Sequence, residues 1–228
     1  PGHFEGSRYY MAPDARLLIA IGVMLFWLAI GLAGLARSGD ERFVFRVLFP
    51  LGSLGGLALS VAGLAGLAAP AAAKVLPLGL PDLPFHLRLD ALSAFFLLLQ
   101  GLAAVAVSMF SAGYFRKTES ATPGLTGLQY HLFLASMVAV CLADDAYMFM
   151  VAWETMAIAS YFLVTTDHKI PAIRSAGFIY LLVAHVGAIA ILLSFGVMQA
   201  GQGDYTFATM RAHELSGTWA SMAFLLAL

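Results

Sequence analysis

The chain has 228 residues, of which 61% are hydrophobic and 11% are charged, and its formal net charge at pH 7 is −1. Soluble domains carry about 25% charged residues, so the composition excludes an ordinary soluble globular domain. The near-zero net charge argues against a nucleic-acid partner and against a polybasic lipid-binding surface. The single cysteine, Cys141, lies inside an apolar block, which excludes a disulfide framework and a cysteine-based metal site.

The two ends of the chain suggest that a longer protein surrounds it. Position 1 is Pro rather than Met, so we interpret residues 1–10 as an upstream remnant before a native start at Met11. The last apolar block, Gly217–Leu228, has twelve residues, which is too short to cross a bilayer. We therefore interpret it as the beginning of a truncated seventh span.

The other apolar blocks are about 20 residues long with charges at their ends, the length of an α-helix that crosses a hydrocarbon core of about 30 Å. We predict an all-α, polytopic transmembrane helix bundle. Its six complete spans are Leu17–Leu35, Val47–Ala73, Ala91–Phe115, Gly124–Ala143, Ala146–Val164 and Ser175–Gln199.

Two connections between these spans are expected to be structured. Lys74–Asp90 contains three prolines, which exclude a helix, and its alternation of apolar and turn residues predicts a short extended hairpin on the membrane surface. Gly201–Ser216 is polar and predicts a short interfacial helix over Phe207–Leu215. The other connections are short, so consecutive spans are expected to be antiparallel neighbours.

Lysine and arginine are unevenly distributed between the two sides of the predicted bundle. The side of the N-terminus holds Arg8, Arg16, Lys74, Arg88 and Arg211. The opposite side holds Arg37, Arg42, Arg46, Arg116, Lys117, Lys169 and Arg174. Because cytoplasmic loops carry the excess of these residues, we predict that the N-terminus lies outside.

The fifth predicted span carries one charge, Glu154, as the ninth of its nineteen residues. An acidic residue at the centre of a membrane helix costs about 2.5 to 3.5 kcal/mol, and such residues usually face a bundle interior or a water cavity. Burial raises the pKa of a carboxyl group and a nearby cation lowers it, so a carboxyl under both influences can bind and release a proton. We predict a proton-relay role for Glu154; the alternative is a structural acid that fixes helix packing.

A second polar group, His185, lies near the middle of the sixth span. A free imidazole titrates near pH 6.5 and can carry protons at neutral pH. We predict that His185 shares membrane depth with Glu154 and exchanges a proton with it through one or two waters. The alternative is a histidine that is hydrogen-bonded to a backbone carbonyl or to a neighbouring helix.

Three further residues are weaker candidates, with access or capping roles. His131 would line an access path near the inner end of the fourth span or, alternatively, reach the membrane interface as a snorkelling side chain. Asp144 and Asp145 form an acidic turn, in which at least one carboxylate is expected to cap the fifth span. The sequence has no phosphate-cradling glycine loop, no Cys/His metal spacing and no haem or quinone signature. We therefore expect proton chemistry without a cofactor, a metal or a catalytic redox site in this chain.

The segments "LDALSAFFLLL", "ADDAYMFMVAWE" and "SAGFIYLLVAHVGAIAI" resemble the antiporter-like membrane subunits of respiratory complex I, Mrp antiporters and energy-converting hydrogenases. The similarity covers about Leu78 to Leu228 and is greatest to the hydrogenase-4 component B, or formate hydrogenlyase subunit 3, type. It implies a proton-translocating subunit whose essential fifth-helix glutamate is Glu154. The resemblance also implies inverted repeats of five helices, an outer N-terminus, and a lysine partner for that glutamate beyond Leu228. Complex I members tend to have Arg-Val-Gly-Asp where this chain has His-Val-Gly-Ala from His185.

This resemblance divides the chain into a two-helix segment with a hairpin, residues 11–90, and the start of an antiporter-like translocation domain, residues 91–228. It implies a bacterial inner-membrane location and partner subunits, membrane-embedded and peripheral, of a redox complex. Two alternatives stay open, namely a subunit of a Mrp-type sodium/proton antiporter and a non-conducting membrane scaffold.

Overall fold

The computed structural model describes residues 14–114 and 122–228. These ranges contain six helices that are long and apolar enough to cross a membrane, so the predicted multispan helix bundle is confirmed. The helices are α1 (Ala15–Ala36), α2 (Glu41–Gly66), α3 (Ala91–Tyr114), α4 (Pro123–Leu142), α5 (Ala146–Val164) and α6 (Pro171–Gln199). Two shorter helices follow, α7 (Phe207–Ala212) and α8 (Gly217–Ala227). The proposed remnant, Met11, Phe115, Arg116 and Lys117 lie outside the described residues.

Several helix boundaries differ from the predictions, and the second span begins at Glu41 rather than Val47 because Asp40 caps the helix there. The second span was expected to end at Ala73, but α2 ends at Gly66, because Pro70 cannot continue a helix and Ala72 pairs with Leu89 in a strand. Helix α6 begins at Pro171 rather than Ser175, since proline suits the first turn of a helix. Helix α7 ends at Ala212, three residues before the predicted end.

Helix α2 contains a wide turn over Val44–Leu48, in which the Phe49 N–H donates to the carbonyl of Val44, five residues earlier. Pro50 follows this turn and has no N–H to donate to the carbonyl four residues before it. A local wide turn of this kind accommodates the missing hydrogen bond.

Helices α1 to α4 form the core of the bundle, and glycines bring α2 and α3 close together. A Cβ atom added at Gly63 would lie 2.7 Å from the Ala94 carbonyl oxygen, and one added at Gly56 would lie 2.8 Å from that of Gly101. Close backbone approach at small residues is the usual packing of membrane helices. The fully buried Trp27 joins α1 to α2, because its indole N–H donates to the carbonyl of Gly52 at 3.0 Å.

The predicted extended hairpin is present between α2 and α3. Strand β1 (Ala72–Leu80) pairs antiparallel with β2 (Leu83–Leu89). The register is interrupted between Leu76 and Gly79, where Pro77 lacks an N–H and Gly79 adopts φ +111°. The membrane face that carries this hairpin is called the hairpin side below.

The hairpin is joined to two other connections on the hairpin side. The Asp144 N–H donates to the carbonyl of His86 at 2.8 Å, and the Phe207 N–H donates to the carbonyl of Asp144 at 3.0 Å. The Ala146 N–H donates to the carbonyl of Tyr205 at 2.9 Å. These bonds join the hairpin, the turn before α5 and the segment before α7 into one unit, the hairpin-side junction (83–89, 143–146 and 204–207).

Candidate functional site

Glu154 lies one residue from the centre of α5, about 12 Å along the helix from its first residue at 1.5 Å per residue. The start of α5 is fixed by Asp145, whose carboxylate accepts a hydrogen bond from the Met148 N–H at 2.6 Å. The Glu154 side chain is half-buried, with 35% of its surface exposed. It lies on the face of α5 that meets α6, at the surface of the described helices.

His185 is the central residue of the 29-residue helix α6 and faces the glutamate. Its Nε2 atom lies 3.5 Å from Oε2 of Glu154. The structure thus brings together the two side chains that the sequence singled out for a proton relay. The separation is slightly longer than a hydrogen bond, so a small approach of the two side chains would complete one.

The other nitrogen of His185 fixes the direction of the ring. Nδ1 lies 2.9 Å from the carbonyl oxygen of Leu181, one turn earlier in α6. A carbonyl oxygen only accepts hydrogen bonds, so Nδ1 carries the hydrogen. In the neutral ring Nε2 therefore presents its lone pair toward the Glu154 carboxyl group. The arrangement can hold one proton either on the carboxyl oxygen or on Nε2.

The approach of α5 and α6 depends on small residues at the end opposite the hairpin side. Gly177 of α6 lies against Tyr161 and Thr165 of α5, where a Cβ atom would come within 3.3 Å of the tyrosine ring. Thr165 turns its hydroxyl inward to donate to the carbonyl of Tyr161 at 2.8 Å. The hydroxyls of Thr165 and Thr166 thus both bond to carbonyls of α5.

His131 is placed differently from the prediction of a snorkelling side chain, which is wrong. The ring is fully buried in the core formed by α2, α3 and α4, because Gly52 leaves room for it. Nδ1 lies 2.7 Å from the carbonyl oxygen of Gly127, and Nε2 has no hydrogen-bond partner among the described residues. His131 belongs to the packing of α4 and lies outside the Glu154–His185 contact. Its proposed access role stays untested.

The two acids of the turn before α5 have separate contacts. The buried Asp145 caps the helix and also accepts from the His86 N–H at 2.7 Å. Asp144 instead places its carboxylate 3.6 Å from the Arg211 guanidinium. Capping thus accounts for one of the two acids, and the other forms an ion pair with the segment after α6.

Sequence reasoning missed several residues of the hairpin-side junction. His86 contacts Asp145 through its ring Nδ1 at 3.2 Å as well as through its backbone. The pKa of Asp204 is lowered, first by a hydrogen bond from the Thr209 hydroxyl and then by one from the Thr206 N–H. A single histidine in a strand, such as His86, does not indicate its partner from the sequence alone. The same holds for Asp204, which lies two residues before a capping threonine.

The titratable groups described by the structure do not assemble into a metal site. Within 14–114 and 122–228, no three His, Cys, Asp or Glu side chains lie together in a way that could hold a metal ion. The chemistry at the centre of α5 and α6 is that of one carboxyl and one imidazole.

Comparison with known proteins gives a family match over the region of this site. Residues 143–228 match the family model described as "NADH:quinone oxidoreductase/Mrp antiporter, TM". The chain is 38% identical over 141 residues to Hydrogenase-4 component B of Escherichia coli (strain K12), an alignment that covers 62% of this chain and 21% of that protein. The resemblance to antiporter-like membrane subunits is therefore confirmed, and the chain spans about a fifth of the length of this relative.

Solved structures share the fold at low sequence identity. A chain of the Mrp complex from Dietzia sp. DQ12-45-1b superposes with a TM-score of 0.72 and 17% identity, over 94% of this chain and 40% of that one. A chain of the membrane-bound sulfane sulfur reductase, an archaeal respiratory membrane complex, gives 0.68 and 15%, over 93% and 43%. The fold is that of an antiporter-like membrane subunit.

Proposed function

We propose that this chain is part of a membrane subunit that carries protons across the bacterial inner membrane within a redox-driven complex of hydrogenase-4 or NADH-quinone oxidoreductase type. The identity to Hydrogenase-4 component B supports the type of complex, and the family match covers the helices of the candidate relay. The observation that carries the proposal is the contact between Glu154 and His185 near the middle of two adjacent membrane helices.

The elementary step is a proton transfer between these two side chains. A protonated Glu154 carboxyl gives its proton to Nε2 of His185, which leaves a carboxylate beside an imidazolium. Nδ1 keeps its own hydrogen because it donates to Leu181 throughout. Passing the proton from Nε2 to water completes the step and returns the ring to its neutral form.

Proton transport in one direction requires a charge outside the pair that changes the proton affinity of the Glu154 carboxyl. A positive charge that approaches a carboxyl stabilises its ionised form and expels the proton, and withdrawal of the charge allows reloading. One pKa unit corresponds to about 1.36 kcal/mol, so a swing of two or three units requires only a few kcal/mol. Conformational change in partner subunits of the complex would supply that energy.

In the proposed orientation, which the lysine and arginine distribution supports, the hairpin side lies outside the cell and Lys169 lies inside. Protons would then reach the Glu154–His185 pair from one face and leave toward the other. The redox chemistry would belong to other subunits of the complex.

The decisive experiment replaces the carboxyl with an amide of the same shape. In the full-length protein, assembled in its complex and reconstituted in proteoliposomes, Glu154→Gln should lower proton flux at least tenfold, because positioned proton transfer contributes about 10²- to 10⁴-fold. Glu214→Gln removes an exposed acid outside the spans and should leave flux within about twofold of the unchanged protein.

Assembly of the complex serves as the check on folding. Undiminished proton flux in an assembled Glu154→Gln complex would contradict the proposal and favour the alternative of a non-conducting membrane scaffold. Flux that requires sodium, measured with and without a sodium gradient, would assign the chain to the sodium/proton antiporter alternative.

A further inference from the structure

A cavity of about 430 Å³ lies at the membrane face opposite the hairpin side. Its lining comes from three helix ends that share this face, namely the first turns of α4, the last turn of α5 and the first turn of α6. The residues used in the argument are Leu125, Thr126, Gln129, Phe162, His168 and Arg174. Because helix ends of membrane spans lie at the level of the lipid headgroups, the cavity opens at that depth.

One polar side chain in this cavity is buried and has a free amide. Gln129 is 8% exposed, lines the cavity, and forms no hydrogen bond with another residue of the ranges described. The Thr126 hydroxyl already donates to the carbonyl of Thr122. The Gln129 amide is therefore a buried donor in the wall without a hydrogen-bond partner among the described residues, and a buried polar group requires a partner.

Positive charge lies at the mouth of the same cavity. The Arg174 guanidinium is held over the α5–α6 loop by hydrogen bonds from Nη1 to the carbonyls of His168 (2.9 Å) and Lys169 (3.3 Å). No carboxylate in the described part of the chain forms an ion pair with it, so its other N–H groups are available to an anion. Arginine binds phosphate through several N–H groups at once.

Apolar side chains flank these polar groups on the membrane side. Leu125 is 39% exposed and Phe162 is 46% exposed, and both line the cavity. A ligand that suits the whole cavity has an anionic group for Arg174 and Gln129 and a hydrocarbon part beside Leu125 and Phe162. Free anions lack the second feature.

We propose that this cavity binds the phosphate headgroup of one anionic phospholipid. The phosphate oxygens accept hydrogen bonds from Arg174 and from the Gln129 amide. The acyl chains run along Leu125 and Phe162 into the bilayer. This site is independent of the Glu154–His185 pair, and it differs from a polybasic surface because it depends on one arginine and a buried amide.

The test measures the affinity of the purified full-length protein for phosphatidylglycerol by native mass spectrometry in detergent. Arg174→Gln should weaken binding about tenfold or more, because charge-assisted hydrogen bonds are lost. Lys169→Gln removes the same charge five residues earlier, in the α5–α6 loop, from a side chain that lines no part of the cavity, so binding should change twofold or less. Gln129→Leu should weaken binding about fivefold, the effect of one hydrogen bond.

Each other outcome contradicts the proposal. Equal losses for Arg174→Gln and Lys169→Gln would mean generic attraction of lipid to surface charge. Equal affinity for phosphatidylcholine would remove the requirement for an anionic lipid. Displacement of the lipid by millimolar inorganic phosphate would assign the cavity to a free anion. If Arg174→Gln lowers the melting temperature of the protein, weaker lipid binding by that variant could come from unfolding, and Gln129→Leu becomes the test. Unchanged lipid binding in Gln129→Leu would then overturn the proposed site.

Discussion

Two histidines, one in α4 and one in α6, illustrate how the surroundings of one nitrogen decide a role. Both His131 and His185 bond through Nδ1 to the carbonyl one turn earlier, at 2.7 Å and 2.9 Å. Nε2 of His131 faces Gly52 in closed packing, whereas Nε2 of His185 faces the Glu154 carboxyl. Only the second ring has a neighbour with which it can exchange a proton.

At this scale we expect His185→Asn to lower proton flux at least tenfold in the assembled complex, because an amide cannot accept the proton that Glu154 releases. The ring is half-exposed, so assembly should be unaffected. The matched control is His213→Asn, in the loop before α8, with unchanged flux.

The double variant makes the test specific to the pair. If the two side chains act in one step, Glu154→Gln with His185→Asn should transport no less than Glu154→Gln alone. If the losses of proton flux in the two single variants instead multiply in the double variant, His185 acts in a different step from Glu154.

At the scale of elements, close packing of α2 on α3 rests on glycines rather than on large apolar side chains. Gly63 faces the backbone of Ala94 and Leu98, which cannot move away as a flexible side chain can. Lipid tails are as apolar as leucine, so association of membrane helices depends on such contacts.

We therefore expect Gly63→Ala to destabilise the folded protein by about 1 to 3 kcal/mol, the usual effect of overpacking. Gly22→Ala in α1 is the matched control, because a Cβ atom there has no atom of the described residues within 4 Å. Alanine is the better helix former, so this control should be neutral or stabilising by up to about 1 kcal/mol. Thermal unfolding in detergent measures both, and equal melting temperatures would contradict the packing argument.

The sequence predicted these elements well where local chemistry decides them. Charges at the ends of apolar blocks located six helices, and prolines located the hairpin. The predicted end of α2 was wrong by seven residues because Ala72 pairs with Leu89 in the hairpin. The two residues are 17 positions apart, and the alanine-rich sequence around Ala72 does not indicate this pairing.

At the scale of the whole molecule, Asp145 joins the hairpin to the helix that carries Glu154. Its carboxylate accepts from the N–H groups of His86 and Met148, and neighbouring backbone bonds add the segment before α7. One buried side chain thus connects the hairpin to the start of α5, and the backbone bonds beside it join the third segment on the hairpin side.

Asp145→Ala should cost about 2 to 4 kcal/mol, because it removes a helix cap and leaves a second buried N–H without an acceptor. Asp144→Ala is the neighbouring control; it removes an ion pair at 3.6 Å with a largely exposed Arg211, worth less than about 1 kcal/mol. Hydrogen exchange should accelerate at residues 83–89 and 204–207 in the first variant only. Similar exchange in both variants would show that Asp145 does not hold the hairpin-side junction together.

The sequence by itself determined the class of molecule, the six helices of membrane-spanning length and the position of one acid near the centre of a span, because each depends on local quantities, namely apolar length and flanking charge. It did not determine which way His131 and His185 face. Helices that are apolar on all sides carry little record of their buried face, so only the tertiary structure separated the packed ring from the one beside Glu154. The contact between Asp145 and His86 is likewise set by the approach of distant segments, and no local pattern specifies it.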